Sequence, residues 1–387
     1  MDKVKIMHCS DFHFDTPFSG FDGNIAEIRR EDIRENFSAI ISMAKENKIQ
    51  ILLMAGDLFD NASVSPETIS LMQKRFDEIP EIKVFISPGN HDPIGEKSYY
   101  NIVKWPSNVY IFKNQVAKVE LEELNTVVYG YGFAGKYEKG CLLKDFRVEN
   151  HNKINFMVMH GEVVKGEVES IYNAIRVQHI ENSGLDYLAL GHVHSFSGIN
   201  KIGTTYWSYS GCPEGRGFDE LGEKGIVIGE VGKSYAALQF VKTCKRQNEV
   251  LKANISGSEN YDDIILNINN ALIDYKEKND LSAIYDLTKK DIYKIVLEGE
   301  IDKDFLINTS VLHEKLKYQF YYVKVEDNTE RRVDYKALAN EYTLKGLFVK
   351  RMLIKIEAAV DEIEKCKLKK ALRFGLDALE LREVNLQ

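Results

Sequence analysis

The sequence contains no apolar run near the roughly 20 residues that a membrane span requires. Its first residues, Met1 to Ile6, lack the apolar stretch and small-residue cleavage site of a secretory signal. A soluble, cytoplasmic protein with no membrane partner is therefore expected. Cysteine is scarce: Cys9, Cys141, Cys212, Cys244 and Cys366 are odd in number, scattered and never spaced C-x-x-C. That argues against both a disulfide framework and a thiolate zinc module, leaving ordinary buried thiols. Proline stops at Pro213, and 22 of 26 glycines precede residue 251, so turn chemistry is confined to one part of the chain. Positive charge is also short, with 51 Lys and Arg against 59 Asp and Glu, a net charge of -8. This is awkward for a nucleic-acid binder, because duplex binding rests on cations that neutralise phosphates. Neither part of the chain compensates: 28 basic residues face 34 acidic ones up to Val250, and 23 face 25 beyond it. Apolar residues are not lacking. At 44% of 387 residues they suffice for two or three cored domains and exclude a disordered chain.

The proline and glycine distribution places a domain boundary near residue 250, and Ser256-Gly257-Ser258-Glu259-Asn260 reads as a polar linker. In the first part, apolar runs at Val4 to Cys9, Ile51 to Ala55 and Lys83 to Ser87 alternate with helical patterns at Asp32 to Glu46 and Ser65 to Glu78. That rhythm predicts an α/β fold with a mostly parallel layer. From Val109 to Tyr131 and from Phe196 to Val241 strand follows strand, which predicts a second packed sheet. Beyond residue 260 the pattern gives a helix (Asp262 to Lys278), a strand (Ile292 to Glu300), a helix (Asn308 to Gln319), a strand (Tyr321 to Glu326) and then mainly helix. The expected organisation is a catalytic domain over 1–250, a small α+β domain over 260–330 and a helical tail over 331–387.

Six of nine histidines fall in five short segments, each where an apolar run ends. These are His8-Cys9-Ser10-Asp11-Phe12-His13, Gly56-Asp57-Leu58-Phe59-Asp60, Gly89-Asn90-His91-Asp92, Met159-His160-Gly161 and Gly191-His192-Val193-His194. Loops beyond strand carboxyl ends are where α/β sheets build their sites. In an extended segment residues two apart point the same way, so Asp11 with His13, and His192 with His194, should each converge. Asp, Asn and His are seldom buried without a polar task. Carboxylate, amide oxygen and imidazole together suit manganese, iron or zinc. Two such ions clamp the entering and leaving oxygens of a phosphoryl displacement, with a water between them as nucleophile.

The ordered set D-x-H, G-D-x-x-D, G-N-H-D, H-G and G-H-x-H resembles the calcineurin-like metallophosphoesterase superfamily. The resemblance implies an α/β/β/α sandwich with a C-terminal capping domain and helical tail. It also implies one metal on Asp11, His13 and His194, a second on Asn90, His160 and His192, and Asp57 bridging them. His91 would be the catalytic acid and Asp92 the residue that orients it. Protein phosphatases of the superfamily carry D-R-G and G-N-H-E instead. The continuation Phe14-Asp15-Thr16-Pro17-Phe18 and the late loop from Ser210 to Gly225 are similar to the SbcD-type DNA-repair exonucleases, YhaO group. One departure is Cys212 before Pro213, where that group commonly has serine or asparagine. The implied activity is manganese-dependent DNA hydrolysis, exonucleolytic with an endonuclease as a further mode. The rivals are a small-nucleotide phosphodiesterase or phosphatase and a non-catalytic regulatory subunit.

His8 alternates away from Asp11 and reads as a buried structural residue, while His151, His179 and His313 lie outside every motif. In the tail, Val349, Leu353, Ile356, Val360 and Ile363 recur at helical spacing among Lys345, Lys350, Arg351, Lys355, Lys365, Lys367, Lys369, Lys370 and Arg373. That stripe has to meet either the protein's own body or another chain. The resemblance points outward, to an SMC-like coiled-coil ATPase of the SbcC/YhaN type acting on DNA; a second copy of the chain is the other candidate partner.

Overall fold

Ile51, Leu52, Leu53 and Met54 are apolar on both sides of the strand they form, a pattern stable only where both faces of a sheet are covered. A computed structural model of the chain describes residues 2–60, 64–166, 170–278, 289–302 and 304–379. Its strands up to residue 254 are β1 (Lys3–Cys9), β2 (Ile51–Met54), β3 (Lys83–Ile86), β4 (Val109–Ile111), β5 (Ala117–Leu121), β6 (Thr126–Tyr131), β7 (Ile154–His160), β8 (Val163–Val164), β9 (Ile175–Arg176), β10 (Tyr187–Gly191), β11 (Asn200–Ile202), β12 (Thr205–Tyr209), β13 (Gly225–Gly232), β14 (Tyr235–Lys242) and β15 (Asn248–Asn254). Helices α1 (Gly23–Glu46), α2 (Pro66–Asp77), α3 (Tyr99–Ile102) and α4 (Val177–Ser183) lie between them. One six-stranded sheet runs β14-β13-β1-β2-β3-β4 and a second runs β11-β12-β10-β7-β6-β5. Strands β1 to β4 are parallel, as are β6, β7, β10 and β12.

Strand alternation explains the four layers. Ile6, Leu53, Phe85, Phe156, Val158 and Ala189 share the core that joins the two sheets. Their sequence neighbours Met7, Leu52 and Met54 pack outward with Phe37 and Ile41 of α1 and Met72 of α2. Met157, Met159, Leu188 and Leu190 pack with Ile180 of α4 on the other flank. The chain is thus the expected α/β/β/α sandwich. Helix α1 begins nine residues earlier than expected, capped by Asp22, which accepts from the Ile25 amide at 3.0 Å. Its early turns hide from an apolar pattern because the buried residues there are the small Ala26 and Arg29, the latter held by Asp32 (2.8 Å) and the Gly215 carbonyl (2.8 Å).

Two compact units divide the chain. The first comprises Met1–Leu251, Lys276–Ile295 and His313–Lys324; the second comprises Lys252–Tyr275, Val296–Leu312 and Val325–Gln387. The segment 260–330, read from sequence as one capping domain, is shared between them. Its elements match the expected ones closely: α5 (Tyr261–Lys278), β16 (Ile292–Glu298), β17 (Glu300–Ile301), a helix at Thr309–Leu316, β18 (Tyr322–Asp327) and β19 (Glu330–Arg331). Helices Tyr335–Ala339, Leu344–Ala358 and Glu362–Leu379 follow. In the second unit Val349, Leu372 and Leu376 form a small core, against which Leu353 and Ile356 also pack. The expected stripe is therefore split: its first three residues turn inward, while Val360 (95% exposed) and Ile363 (66%) do not. No described helix is long and apolar enough to cross a membrane.

Candidate metal centre

Five parallel strands end side by side, and each hands over to a polar loop: β1 to Asp11 and His13, β2 to Asp57 and Asp60, β3 to Asn90 and His91, and β10 to His192 and His194, while β7 ends on His160 itself. Convergence is not achieved by extended alternation. Asp11, His13, Asp57 and His192 all have positive φ (56°, 47°, 50° and 108°). Such backbone strain is characteristic of sites where surrounding structure over-determines the loop. Here that structure is a ladder in which the Asp11 amide donates to Gly56 O (2.9 Å) and the His13 amide to Asp57 O (3.0 Å). The sheets also approach too closely for side chains between them: a Cβ on Gly191 would sit 1.9 Å from Ala55 O.

The seven expected ligands are brought together. Asp11, His13, Asp57 and His160 are at most 1% exposed. Asp57 Oδ2 lies 3.3 Å from His160 Nε2 and 3.8 Å from His13 Nε2, a central position between the two groups. On one side His194 Nε2 is 3.6 Å from Asp11 Oδ1 and 3.3 Å from His13 Nε2. On the other, Asn90 Oδ1 is 2.9 Å from His160 Nε2 and 3.3 Å from His192 Nδ1.

The far side of three imidazoles tests whether cations fit. Nδ1 of His13 faces the Asp60 carboxylate (3.0 Å), that of His160 faces Ala55 O (2.9 Å), and that of His194 faces Glu220 (2.7 Å). At His13 and His160 those partners only accept; at His194 the Arg216 Nη2 also lies 3.1 Å from Nδ1 but donates to Glu220 (2.8 Å), the nearer acceptor of the Nδ1 proton, so each neutral ring presents its Nε2 lone pair inward, the arrangement metal-binding histidines adopt. Two lone pairs 3.3 Å apart, beside two buried carboxylates that pair with no Lys or Arg among the described residues, repel one another unless a cation lies among them. Without a cation, the protein's own groups answer this demand with a proton at His160. Burial lowers His13 and His192, whereas at His160 the Asp57 carboxylate overrides burial and raises the imidazole to about 9. Burial would raise Asp57, but His160 pulls it below the usual carboxylate range. Divalent ions fit this donor set.

His91 stands at the rim, its side chain 43% exposed, with Nδ1 3.2 Å from Asp60 O and 3.4 Å from Asp60 Oδ1. The hydrogen bond to Asp60 raises its pKa. Asp92, expected to orient His91, faces elsewhere: its carboxylate accepts from the amides of Asp57 (3.2 Å), Leu58 (2.6 Å), Phe59 (3.1 Å) and Gly89 (2.7 Å) and from the Tyr100 hydroxyl (2.5 Å). It shapes the loop that carries Asp57, and burial together with the Asp57 charge lifts it to about 6. The orienting carboxylate is Asp60, present in the second motif but given no role by the sequence reading.

Glu220 and Arg216 were likewise missed, although both lie in the late loop. Arg216 links the two carboxylates, reaching Glu220 at 2.8 Å and Asp60 at 3.3 Å. Cys212 is buried beneath the same loop, its Sγ 3.4 Å from His194 O. His8 is buried as expected, with Nδ1 on the Tyr187 hydroxyl (2.9 Å). Of the cysteines, Cys9 and Cys212 are buried, whereas Cys366 is exposed.

A bank of buried carboxylate, amide and imidazole donors at the carboxyl edge of a two-sheet sandwich defines a metal-dependent phosphoester hydrolase. The family described as calcineurin-like phosphoesterase matches residues 4–196, which include all seven donors, and the chain belongs to that family. Among its relatives is the uncharacterized metallophosphoesterase YhaO of Bacillus subtilis, 25% identical over 76% of this chain and 69% of that one. The DNA double-strand break repair protein Mre11 of Saccharolobus solfataricus is 23% identical over 86% of this chain and 84% of its own. The SbcD subunit of the nuclease SbcCD from Staphylococcus saprophyticus is 25% identical over 88% and 94%.

Proposed function

We propose that the chain is a manganese-dependent DNA phosphodiester hydrolase of DNA repair, exonucleolytic with a further endonuclease mode. The observation that carries the hydrolase reading is the convergence of the His13, His160 and His194 Nε2 atoms on the buried carboxylates of Asp11 and Asp57. One ion would be held by Asp11, His13 and His194, the other by Asn90, His160 and His192, with Asp57 shared. When bound, such ions polarise the phosphoryl group and acidify the attacking water. The protein's own residues do the rest. Asp60 accepts from His91 Nδ1 and favours the protonated ring, in which Nε2 would keep a proton for the leaving oxygen. Asp60 and Glu220 fix the His13 and His194 rings, and Arg216 holds both carboxylates in place.

DNA is the substrate favoured by the relatives named for break repair and nuclease activity, and their coverage extends beyond the metal centre into the second unit. One relative is named as part of a larger nuclease. For this chain the matching partner is an SMC-like coiled-coil ATPase, docked on apolar residues that the tail leaves exposed, Leu344, Ile354, Val360 and Ile363. The deciding assay offers the purified chain, with manganese, iron or zinc in turn, labelled linear duplex, single strands, bis(p-nitrophenyl) phosphate and a panel of small nucleotides. Hydrolysis of DNA with manganese is expected. Cleavage of small nucleotides alone would replace the nuclease reading, and no hydrolysis with any metal would refute catalysis.

A further inference from the structure

Beside the metal centre the first unit contains a cavity of about 300 Å³, at the lower bound of small-ligand pockets and too small for a duplex. Pro17, Phe18, Phe21 and Phe218 give it apolar walls, and Asp60, Arg216 and Glu220 form the side it shares with the metal centre. We propose that this cavity is a nucleoside subsite that seats one base and sugar of the substrate next to the phosphate being cleaved; the assignment rests on the hydrolase reading above.

Three observations support it. First, position: Asp60 and Glu220 line the cavity and also hold His13 (3.0 Å) and His194 (2.7 Å), so a group seated there is one residue away from the inward nitrogens. Second, charge: Arg216 already pairs both carboxylates (3.3 and 2.8 Å), so the wall nearest the metal centre offers no spare cation for a phosphate and suits a neutral group. Third, shape: the Phe21 and Phe218 rings lie 6.4 Å apart at 32°, a tilted aromatic surface on which a base can stack. The wall is braced before any ligand arrives. Asp15 ties its loop to the Ser65 amide (2.7 Å), Thr68 (3.0 Å) and Arg34 (2.8 Å). Lys324, exposed at the rim, has no carboxylate partner among the described residues and is placed for the phosphate on the nucleoside's far side.

The test compares thymidine 5′-(p-nitrophenyl phosphate) and its 3′ isomer with bis(p-nitrophenyl) phosphate, using the full-length chain and manganese. One isomer should be preferred. Phe218→Ala should lower the ratio of its kcat/KM to that of the plain ester by about 10- to 100-fold, the effect of losing one base-stacking ring, and Phe218→Trp should restore it. Lys324→Ala, a surface change that spares folding, should slow a thymidine dinucleotide more than the mononucleoside ester. A ratio identical in wild type and Phe218→Ala for both isomers overturns the subsite and leaves the hydrolase reading standing. Should the wild-type chain cleave no ester, the hydrolase reading fails, and calorimetric titration with thymidine 5′- and 3′-monophosphate decides the cavity. Saturable binding weakened by Phe218→Ala upholds it; no binding, or binding indifferent to that change, removes it.

Discussion

Replacing Asp60 by Asn keeps the shape of the side chain and removes its charge. One oxygen, Asp60 Oδ1, lies 3.0 Å from His13 Nδ1, 3.3 Å from Arg216 Nη1 and 3.4 Å from His91 Nδ1. Burial would raise this carboxyl, yet the hydrogen bonds from His13 and His91 hold it far below the ordinary range, so the charged form is the one the site uses. A hydrogen bond to a charged group contributes about 1.5–3 kcal/mol and a neutral one about 0.5–1.5, so the substitution forfeits about 1–2 kcal/mol of the restraint on His13. That corresponds to manganese bound roughly 5- to 30-fold more weakly, in line with the 10- to 100-fold typical when a metal ligand loses its supporting carboxylate. The loss should be confined to the ion on Asp11, His13 and His194. The other ion's His160 is braced by Ala55 O, which the substitution does not touch. Calorimetric titration with manganese should resolve one weakened and one unchanged binding event. An isotherm unchanged from wild type would refute the argument that Asp60 positions His13.

Other consequences are open to measurement. His91→Ala should leave both manganese ions bound by elemental analysis while lowering kcat by about 10² to 10⁴, whereas Asp57→Ala should lose metal; equal metal loss in both would show that His91 is misassigned. Burial raises the Glu214 carboxyl to about 7, against 4.5 when unfolded, with Arg29 opposing the shift. Between those values the folded chain binds more protons than the unfolded one, so stability should fall by about 3 kcal/mol as pH rises from 4.5 to 7. Urea titrations should show a flatter pH dependence in Glu214→Gln, and an unaltered profile would count against the assignment. Leu353→Glu places a charge against the Val349, Leu372 and Leu376 core and should lower the melting temperature. Ile354→Glu, at a site 59% exposed, should leave melting unchanged but abolish copurification of the coiled-coil ATPase, and the reverse result would mean the stripe faces outward after all.

The strands and the converging donor residues were legible because each leaves a local trace. Ile51 to Met54 and Phe156 to Met159 are apolar on both faces, and a polar motif follows each run. What could not be read were relations across the chain. Asp92 follows His91 directly, yet four amides and the Tyr100 hydroxyl capture its carboxylate, a set of partners defined only once β2 and β3 lie side by side. Glu220 lies 26 residues beyond His194, and nothing in that spacing announces a hydrogen bond. The convergence of Asp11 with His13 was read correctly for a mistaken reason: left-handed kinks, not an extended strand, turn them together. The stripe on Leu344–Ala358 was real, but periodicity cannot say that a later helix of the same chain covers half of it.

Asp11, Asp57 and Asn90 belong to one sheet, and His160, His192 and His194 to the other. An ion shared among them would be a rivet through two plates, set along the edge where the strands end; the opposite edge is tied by the protein alone, with Asp186 accepting from the Ser234 amide (2.7 Å) and Lys233 (2.9 Å) and Asn125 donating to Asp2 (3.1 Å). The sandwich would then have a hinged side and a fastened side, decided by cation supply. Withdrawing the cation would free the fastened edge, where Ala55 O and Gly191 already meet without a side chain between them. Amide exchange should therefore quicken first at residues 55–57 and 191–194, while Val4 and Ile154 at the strand beginnings stay protected. Metal status becomes readable as the direction from which the layers separate, even when no substrate is present.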